Sequence, residues 1–306
     1  MNKEPKVIFI TCIGRSGSTI IANILGQYEH SIHIGELNEI WERGYKNNFL
    51  CGCHQPFQEC LFWTDIINNE IKDSEELEKL ISVGKYLRST QILFFLKAII
   101  FRRNRSLKIY ANHIKNIYLN ILTNTNKTII IDSTKYTSYG YMLKFIKNID
   151  FHIIHLIRDP RAVAYSWSKI KVRENRINEK EYMPRKSILR TTITYLMSYV
   201  FAKIYFKNKK YKYTILRYED FIKDPEYFIE KIMNRYKTNT PDSLFPCKNS
   251  VNLNTISHTI TGNPIRFNLG TTQLKLDDKW KMKLNPKDEK LIKFLSWPLM
   301  FKHGYL

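Results

Sequence analysis

"VIFITCIGRSGST", Val7 to Thr19, carries an apolar run directly into a loop of glycine, arginine and hydroxyl residues. Val7–Thr11 has the continuous apolar character of a buried strand, and "STIIANILGQY" after it has apolar residues at helical spacing. Gly14 and Gly17 let the backbone turn tightly and aim consecutive N–H groups at one point. The helix starting near Ser18 adds the positive end of its dipole. Ser16, Ser18 and Thr19 bring hydroxyl donors, and Arg15 brings a fixed charge that pairs bidentately with phosphate or sulfate oxygens. The loop has no lysine in the place that GxxxxGK[ST] requires, and fewer residues between its glycines, which argues against ATP hydrolysis. By itself such a loop also fits an ordinary strand-to-helix turn with a serine cap.

The same alternation continues downstream. Ser31–Ile34, Lys127–Asp132, Phe151–Ile157 and Tyr211–Leu216 read as strands separated by helical segments. Leu61–Leu122 holds two or three helices and no strand-like run. The pattern predicts an α/β fold over residues 1–306 as a single domain. It has a P-loop-like central parallel sheet flanked by helices, with a helical insertion at about 61–122. Ligands in such sheets bind at the carboxyl ends of the strands. Three polar clusters fall there: Gly14–Thr19, Asp132–Lys135 and Arg158–Ser166. In "HLIRDPRAVAYSW" Arg158 ends a strand and Ser166 follows in the next helix, so both can close on one phosphate. Asp159 and Pro160 fit that helix's first turn. Two anion sites on neighbouring strand ends fit a nucleotide with phosphates at both ends of its ribose.

The formal net charge is +21, which favours an anionic partner. Its lysines are spread along the chain and do not form a tail. The basic residues do not combine with aromatic stacking partners into a recognised nucleic-acid module, so a nucleic-acid-binding protein is the weaker alternative. Met1–Lys6 is polar, and the apolar run after it is too short for a signal peptide. The longest apolar run, Ile92–Phe101, is interrupted by Lys97 and falls far short of the ~20 residues that span a bilayer. A cytoplasmic protein without a transmembrane segment is expected. Five cysteines do not make a secreted disulfide framework. Cys51, Cys53, His54 and Cys60 have the donors of a structural zinc site, but C-x-C-H is not a common finger spacing. A cysteine pair or plain buried thiols fit as well.

Together these residues resemble the PAPS-dependent sulfotransferases. "GRSGST" is similar to that family's 5'-phosphosulfate loop, and "RDPRAVAYS" to its 3'-phosphate motif, which carries over to Arg158 and Ser166. "GELNEIW", "CGCHQPFQECLFW", "IDSTK", "LRYEDFIKDP" and "GNPIRF…DDKW…L" follow in the order seen in a branch with many bacterial members. The resemblance spans Val7 to about Tyr305 and implies PAPS as sulfuryl donor, PAP as product and an acceptor hydroxyl. Sulfuryl transfer, like phosphoryl transfer, rests on positioning and charge stabilisation. Cations and backbone N–H groups supply these without a catalytic metal.

An acceptor hydroxyl needs a base. Glu36 lies 21 residues beyond Arg15, a spacing that resembles tyrosylprotein and some bacterial carbohydrate sulfotransferases, where a glutamate is the base. Glu39 is a weaker rival. His113 lacks the surroundings of the histidine used by the cytosolic small-molecule branch. The resemblance gives Lys135 the role of stabilising the leaving oxygen, although Thr134 and Tyr136 depart from the usual DSSK-proline form. It also implies that Tyr218 stacks on adenine and Arg266 reaches a phosphate. A carbohydrate is the expected acceptor, with a tyrosyl peptide or small metabolite as alternatives. The oligomeric state is not legible.

Overall fold

The computed structural model describes residues 4–67, 70–89, 105–176, 179–207 and 211–306. In chain order its strands are β1 (Lys6–Thr11), β2 (Ser31–Gly35), β3 (Ile129–Lys135), β4 (Asp150–Ile157), β5 (Val172–Arg176), β6 (Glu179–Tyr182), β7 (Lys212–Arg217), β8 (Ser250–Leu253) and β9 (Gly270–Gln273). Five of them form one parallel sheet in the order β2-β3-β1-β4-β7. Central position and burial on both faces explain why β1 is an unbroken apolar run. Its side chains alternate between two cores: Val7 and Phe9 enter one, Ile8 and Ile10 the other.

The first core is closed by helices that follow β2 and β3: α1 (Ser18–Leu25) lies elsewhere, while α2 (Leu61–Ile67), α3 (Ser74–Ser89), α4 (Arg105–Thr125) and α5 (Thr137–Met142) supply Trp63, Leu80, Ile114 and Tyr139 to it. Into the second core α1 sends Ile20, Ile21, Ile24 and Leu25. After β4 come α6 (Pro160–Ser168) and α7 (Ile188–Phe206); α8 (Tyr218–Lys223) and α9 (Pro225–Met233) follow β7, and α10 (Trp280–Lys283) and α11 (Pro286–Lys302) end the chain. The helical stretch foreseen at 61–122 is thus the crossover from β2 to β3, and the apolar run Ile92–Phe101 lies outside the described residues. No described helix is long and apolar enough to cross a membrane.

Two features of the sheet set up its carboxyl edge. From β1 the chain passes over β3 to reach β2, and later crosses to the other side for β4, so the loop after β1 opens at the point where the strand order reverses. In addition, β3 runs to Lys135, beyond the expected Asp132. A register shift pairs Thr11 with Lys135, and the Lys135 carbonyl accepts from Cys12 N (3.1 Å) and Thr11 Oγ1 (3.0 Å). These bonds hold Lys135 at a φ of +74°, a left-handed conformation that is costly for a non-glycine residue. The hairpins β5–β6 and β8–β9 are antiparallel additions that the sequence reading did not contain.

Candidate functional site: a cationic cleft at the sheet's carboxyl edge

The β1–α1 loop lies over the edge of β1. Gly17 caps α1 with a φ of +97° and no side-chain cap bond, which leaves the first-turn amides without an intrahelical or side-chain acceptor. Arg15 also has a positive φ, +70°. Its guanidinium donates to the Ser166 and Pro184 carbonyls and lies 4.6 Å over the Trp167 ring. Trp167 in turn donates from Nε1 to Gly14 O at 2.8 Å. The loop is therefore clamped to α6 from both sides.

Arg158, at the end of β4, donates from Nη1 to Arg15 O at 3.1 Å and lies 4.7 Å over the Tyr218 ring. Asp159 caps α6 by accepting from Arg161 N at 2.8 Å and also pairs with the Arg161 side chain. With that cap filled by a carboxylate, this helix presents Ser166 and Trp167 to the cleft, and Arg158 reaches it from the turn before the helix. Tyr218 begins α8, and its ring is packed against Gly17 so closely that a Cβ there would fall 2.2 Å from Cε2.

Across the cleft, the Lys135 ammonium donates to Glu36 Oε1, and both side chains are nearly buried. Glu36 follows Gly35, whose φ of +78° turns the chain at the end of β2. Glu39 differs in its surroundings: Arg43 (2.9 Å) and Arg88 (2.5 Å) both bind it. Burial nevertheless holds its carboxyl above the ordinary range. Beneath the pair, His33 bridges Asn23 Oδ1 (2.9 Å) and Ser133 Oγ (3.0 Å). Since Asn23 Oδ1 can only accept, His33 Nδ1 carries the proton and Nε2 accepts from Ser133. Asp132 accepts from Tyr118 (2.6 Å), Tyr139 (3.0 Å) and Thr134 N (2.8 Å), which fixes the strand that carries Lys135. Burial pushes the Cys12 thiol up to about 11, so it remains protonated beside the loop.

These groups line one cleft of about 1060 Å³, against the roughly 300–1,000 Å³ typical of a small-molecule site. Among the described residues, eight lysines and arginines (Arg15, Arg43, Arg88, Lys135, Arg158, Lys171, Lys186, Arg190) face three acids (Glu36, Glu39, Asp277) in its walls. Burial and then neighbouring cations depress Lys186, and burial followed by Arg15 depresses Lys171. Among the described residues, Arg15 Nε, Arg158 Nε, Ser16 Oγ and Thr261 Oγ1 are buried without a hydrogen-bond partner, which is costly unless a ligand supplies acceptors. Crowded cations and orphaned donors on the same loops fit a polyanionic ligand.

Gly14, Arg15, Gly17, Ser18, Thr19, Glu36, Lys135, Arg158, Ser166 and Tyr218 all line this cleft, and Ser16, between Arg15 and Gly17 in the same loop, is buried. Arg266 is elsewhere. Its guanidinium donates to Thr259 O and Leu50 O (2.9 Å) and covers the Phe267 ring. Neighbouring residues of a 3₁₀ turn point about 120° apart, so Ile265 lines the cleft while Arg266 turns into the protein. His113 lies edge-on to Trp41, near Glu70 and Glu76, and is not a cleft residue. His54 is exposed and stacked on Phe267, away from the thiols of Cys51, Cys53 and Cys60. The sequence reading missed Arg43, Arg88, Lys186, Arg190 and Trp167; of these only Trp167 belongs to a recognisable segment, "AYSW".

No curated protein matches the chain significantly. Among solved structures, the chain is similar to the sulfotransferase domain of the olefin synthase of Synechococcus PCC 7002, with a TM-score of 0.47, 16% identity and 96% of each chain covered. The family model described as "Sulfotransferase domain" matches residues 5–254, a span that contains the anion loop, Glu36, Lys135, Arg158, Ser166 and Tyr218. On that match the chain belongs to the sulfotransferase domain family and is a sulfotransferase.

Proposed function

We propose that the cleft binds PAPS and transfers its sulfuryl group to a hydroxyl, releasing PAP, with Glu36 as the base. The observation that carries this reading is the cluster of unpartnered buried donors, Arg15 Nε, Ser16 Oγ and Arg158 Nε, around the uncapped start of α1. The β1–α1 loop takes the 5'-phosphosulfate, Arg158 and Ser166 take the 3'-phosphate, and Tyr218 offers a ring to the adenine. Glu36 accepts the acceptor's proton as its oxygen bonds to sulfur. The bond from sulfur to the 5'-phosphate oxygen breaks, and Lys135 and Arg15 neutralise the charge that PAP carries away. Glu36 fits the base's role better than Glu39, whose Oε2 is bound by two guanidinium groups.

The acceptor approaches from α7 and the segment before it, where Lys186 and Arg190 stand beside Met183, Leu189, Ile193 and Met197. Cations there suit a carbohydrate that carries negative charge, which is the acceptor we propose. The four apolar side chains favour as second reading a tyrosyl peptide or an amphipathic metabolite. Incubation with PAPS and one acceptor of each class, read by mass spectrometry, separates the readings. A sulfated saccharide together with PAP is expected. Glu36→Gln should lower the turnover by roughly 10²–10⁴-fold while PAP affinity stays within about threefold, and Glu39→Gln should not reproduce that split. Undiminished turnover in Glu36→Gln would remove the base assignment, and sulfation of the tyrosyl peptide alone would replace the saccharide.

A further inference from the structure

The loop Cys51–Cys60 meets a segment almost two hundred residues later. Leu50 and Pro56 form an isolated antiparallel bridge, with Cys51 N donating to Gln55 O at 2.8 Å and His54 N to Cys51 O at 2.9 Å, so the chain folds into a tight knuckle. Gly52 permits the contact: a Cβ there would fall 1.9 Å from Ser257 O. His258, the next residue, turns Nδ1 toward the knuckle. Its distances are 3.6 Å to Cys51 Sγ and 3.4 Å to Cys60 Sγ. Cys60 Sγ lies 3.6 Å from Cys51 Sγ and 3.6 Å from Cys53 Sγ. All four donor atoms lie within 4.8 Å of one another.

We infer that Cys51, Cys53, Cys60 and His258 Nδ1 form a structural zinc site. A tetrahedral ion with Zn–S near 2.3 Å and Zn–N near 2.0–2.1 Å places two sulfurs about 3.8 Å apart and a sulfur and nitrogen about 3.5 Å apart. The four distances above follow that pattern, whereas a disulfide needs sulfurs at about 2.0 Å. The imidazole is already held for the task. Phe62 stacks on it at 4.4 Å with an interplanar angle of 11°, and Trp63 Nε1 donates to the His258 carbonyl at 2.8 Å. Four protein donors close the coordination sphere and leave no place for substrate, which makes the site structural. Cys53 is only half-buried and leaves a path for the ion.

The site's effect would be to fasten the roof of the cleft. His258 is followed by Thr259, which packs on Gly35 next to Glu36, and by Thr261 and Gly262, which line the cleft. A pair of contacts that form without metal, Arg266 to Thr259 O and to Leu50 O, ties the same two segments. The metal inference stands on the donor geometry and does not depend on the choice of donor or acceptor in the reaction.

Metal content of the full chain, expressed with zinc supplied and passed through gel filtration, tests it. About one zinc per chain is expected. His258→Ala should lose at least about tenfold in zinc affinity in competition with a chromogenic chelator, while His54→Ala should match the wild type. Should His258→Ala not fold, cobalt in the wild-type chain gives the second readout: the intense visible bands of a tetrahedral, thiolate-bound ion support the site. A chain that retains no metal, a weak octahedral cobalt spectrum, or a disulfide among these cysteines by intact mass would overturn it.

Discussion

His33, His152 and His155 are three imidazoles built into the sheet, each buried and hydrogen-bonded. His33 holds Asn23 and Ser133, His152 contacts Tyr236 (3.1 Å) and Thr214 (2.9 Å), and His155 contacts Tyr213 (2.7 Å). Burial is the main cause that depresses them, to about 3, about 4 and about 3 respectively, from an ordinary 6.5; nearby cations add to it, Lys135 at His33, Arg235 and Lys212 at His152. The unfolded chain therefore binds more protons than the folded one below pH 6.5. The stability these residues contribute is complete above that value and is lost as the pH falls toward their folded pKa values. Each removes roughly 1.4 kcal/mol per pH unit once well below 6.5. Asp132 and Glu39, raised by burial, act in the opposite sense from the ordinary carboxylate pKa upward, so the histidine effect is read between pH 6.5 and 5 as the difference between wild type and His155→Gln. Denaturant unfolding should show stability falling across that window less steeply in His155→Gln than in the wild type. A flat profile would mean that these imidazoles are hydrated.

At the level of elements, the turn from β1 into α1 depends on Gly17, because the position combines a φ of +97° with direct contact to the Tyr218 ring. Gly17→Ala should cost about 1–3 kcal/mol through backbone strain alone and displace Tyr218, lowering PAP affinity more than tenfold. Gly304→Ala is the comparison: its φ is +66° and nothing lies within 4 Å of the new methyl, so PAP binding should be unchanged. Equal PAP affinity in Gly17→Ala and wild type, measured by calorimetry, would contradict the placement of the nucleotide. The elements themselves were legible where local pattern and burial agree: all five sheet strands appear within a few residues of their expected positions. The end of β3 was not, because "DSTK" is polar and reads as a loop, yet its backbone pairs with β1 and its Asp132 is satisfied by two tyrosines. The short β8–β9 hairpin lacked a signal for a simpler reason, since "SVNL" and "GTTQ" are four residues each and a pattern of that length does not distinguish strand from loop.

Across the whole molecule, what the chain reveals locally are the parts of the cleft carried by single turns: the anion loop, Glu36 after β2, Lys135 at the end of β3, and Arg158 with Ser166 on either side of one turn. What it conceals are partners brought from distant segments. Arg43 and Arg88 occupy Glu39, which the sequence left as a rival base; Arg266 turns inward by the phase of a short 3₁₀ turn; and His258 takes the place beside the thiols that the nearer His54 occupies in the sequence. Charge works at this scale too. A net +21 is spread along the chain, while among the described residues eight cations meet three acids around a single cleft, so the field is focused on the loops that hold unpaired donors.

Thermal unfolding with PAP, compared with AMP, ATP and a DNA duplex, is the most direct test that this cleft holds a nucleotide phosphorylated at both ends of its ribose. Ligand at a hundred times its dissociation constant stabilises by about 2.7 kcal/mol, which moves the midpoint of a chain this size by roughly 5 °C. The account predicts that shift with PAP, a smaller one with AMP, none with duplex DNA, and loss of the PAP shift in Arg158→Ala. An unmoved midpoint with saturating PAP, or a shift with DNA alone, would contradict it.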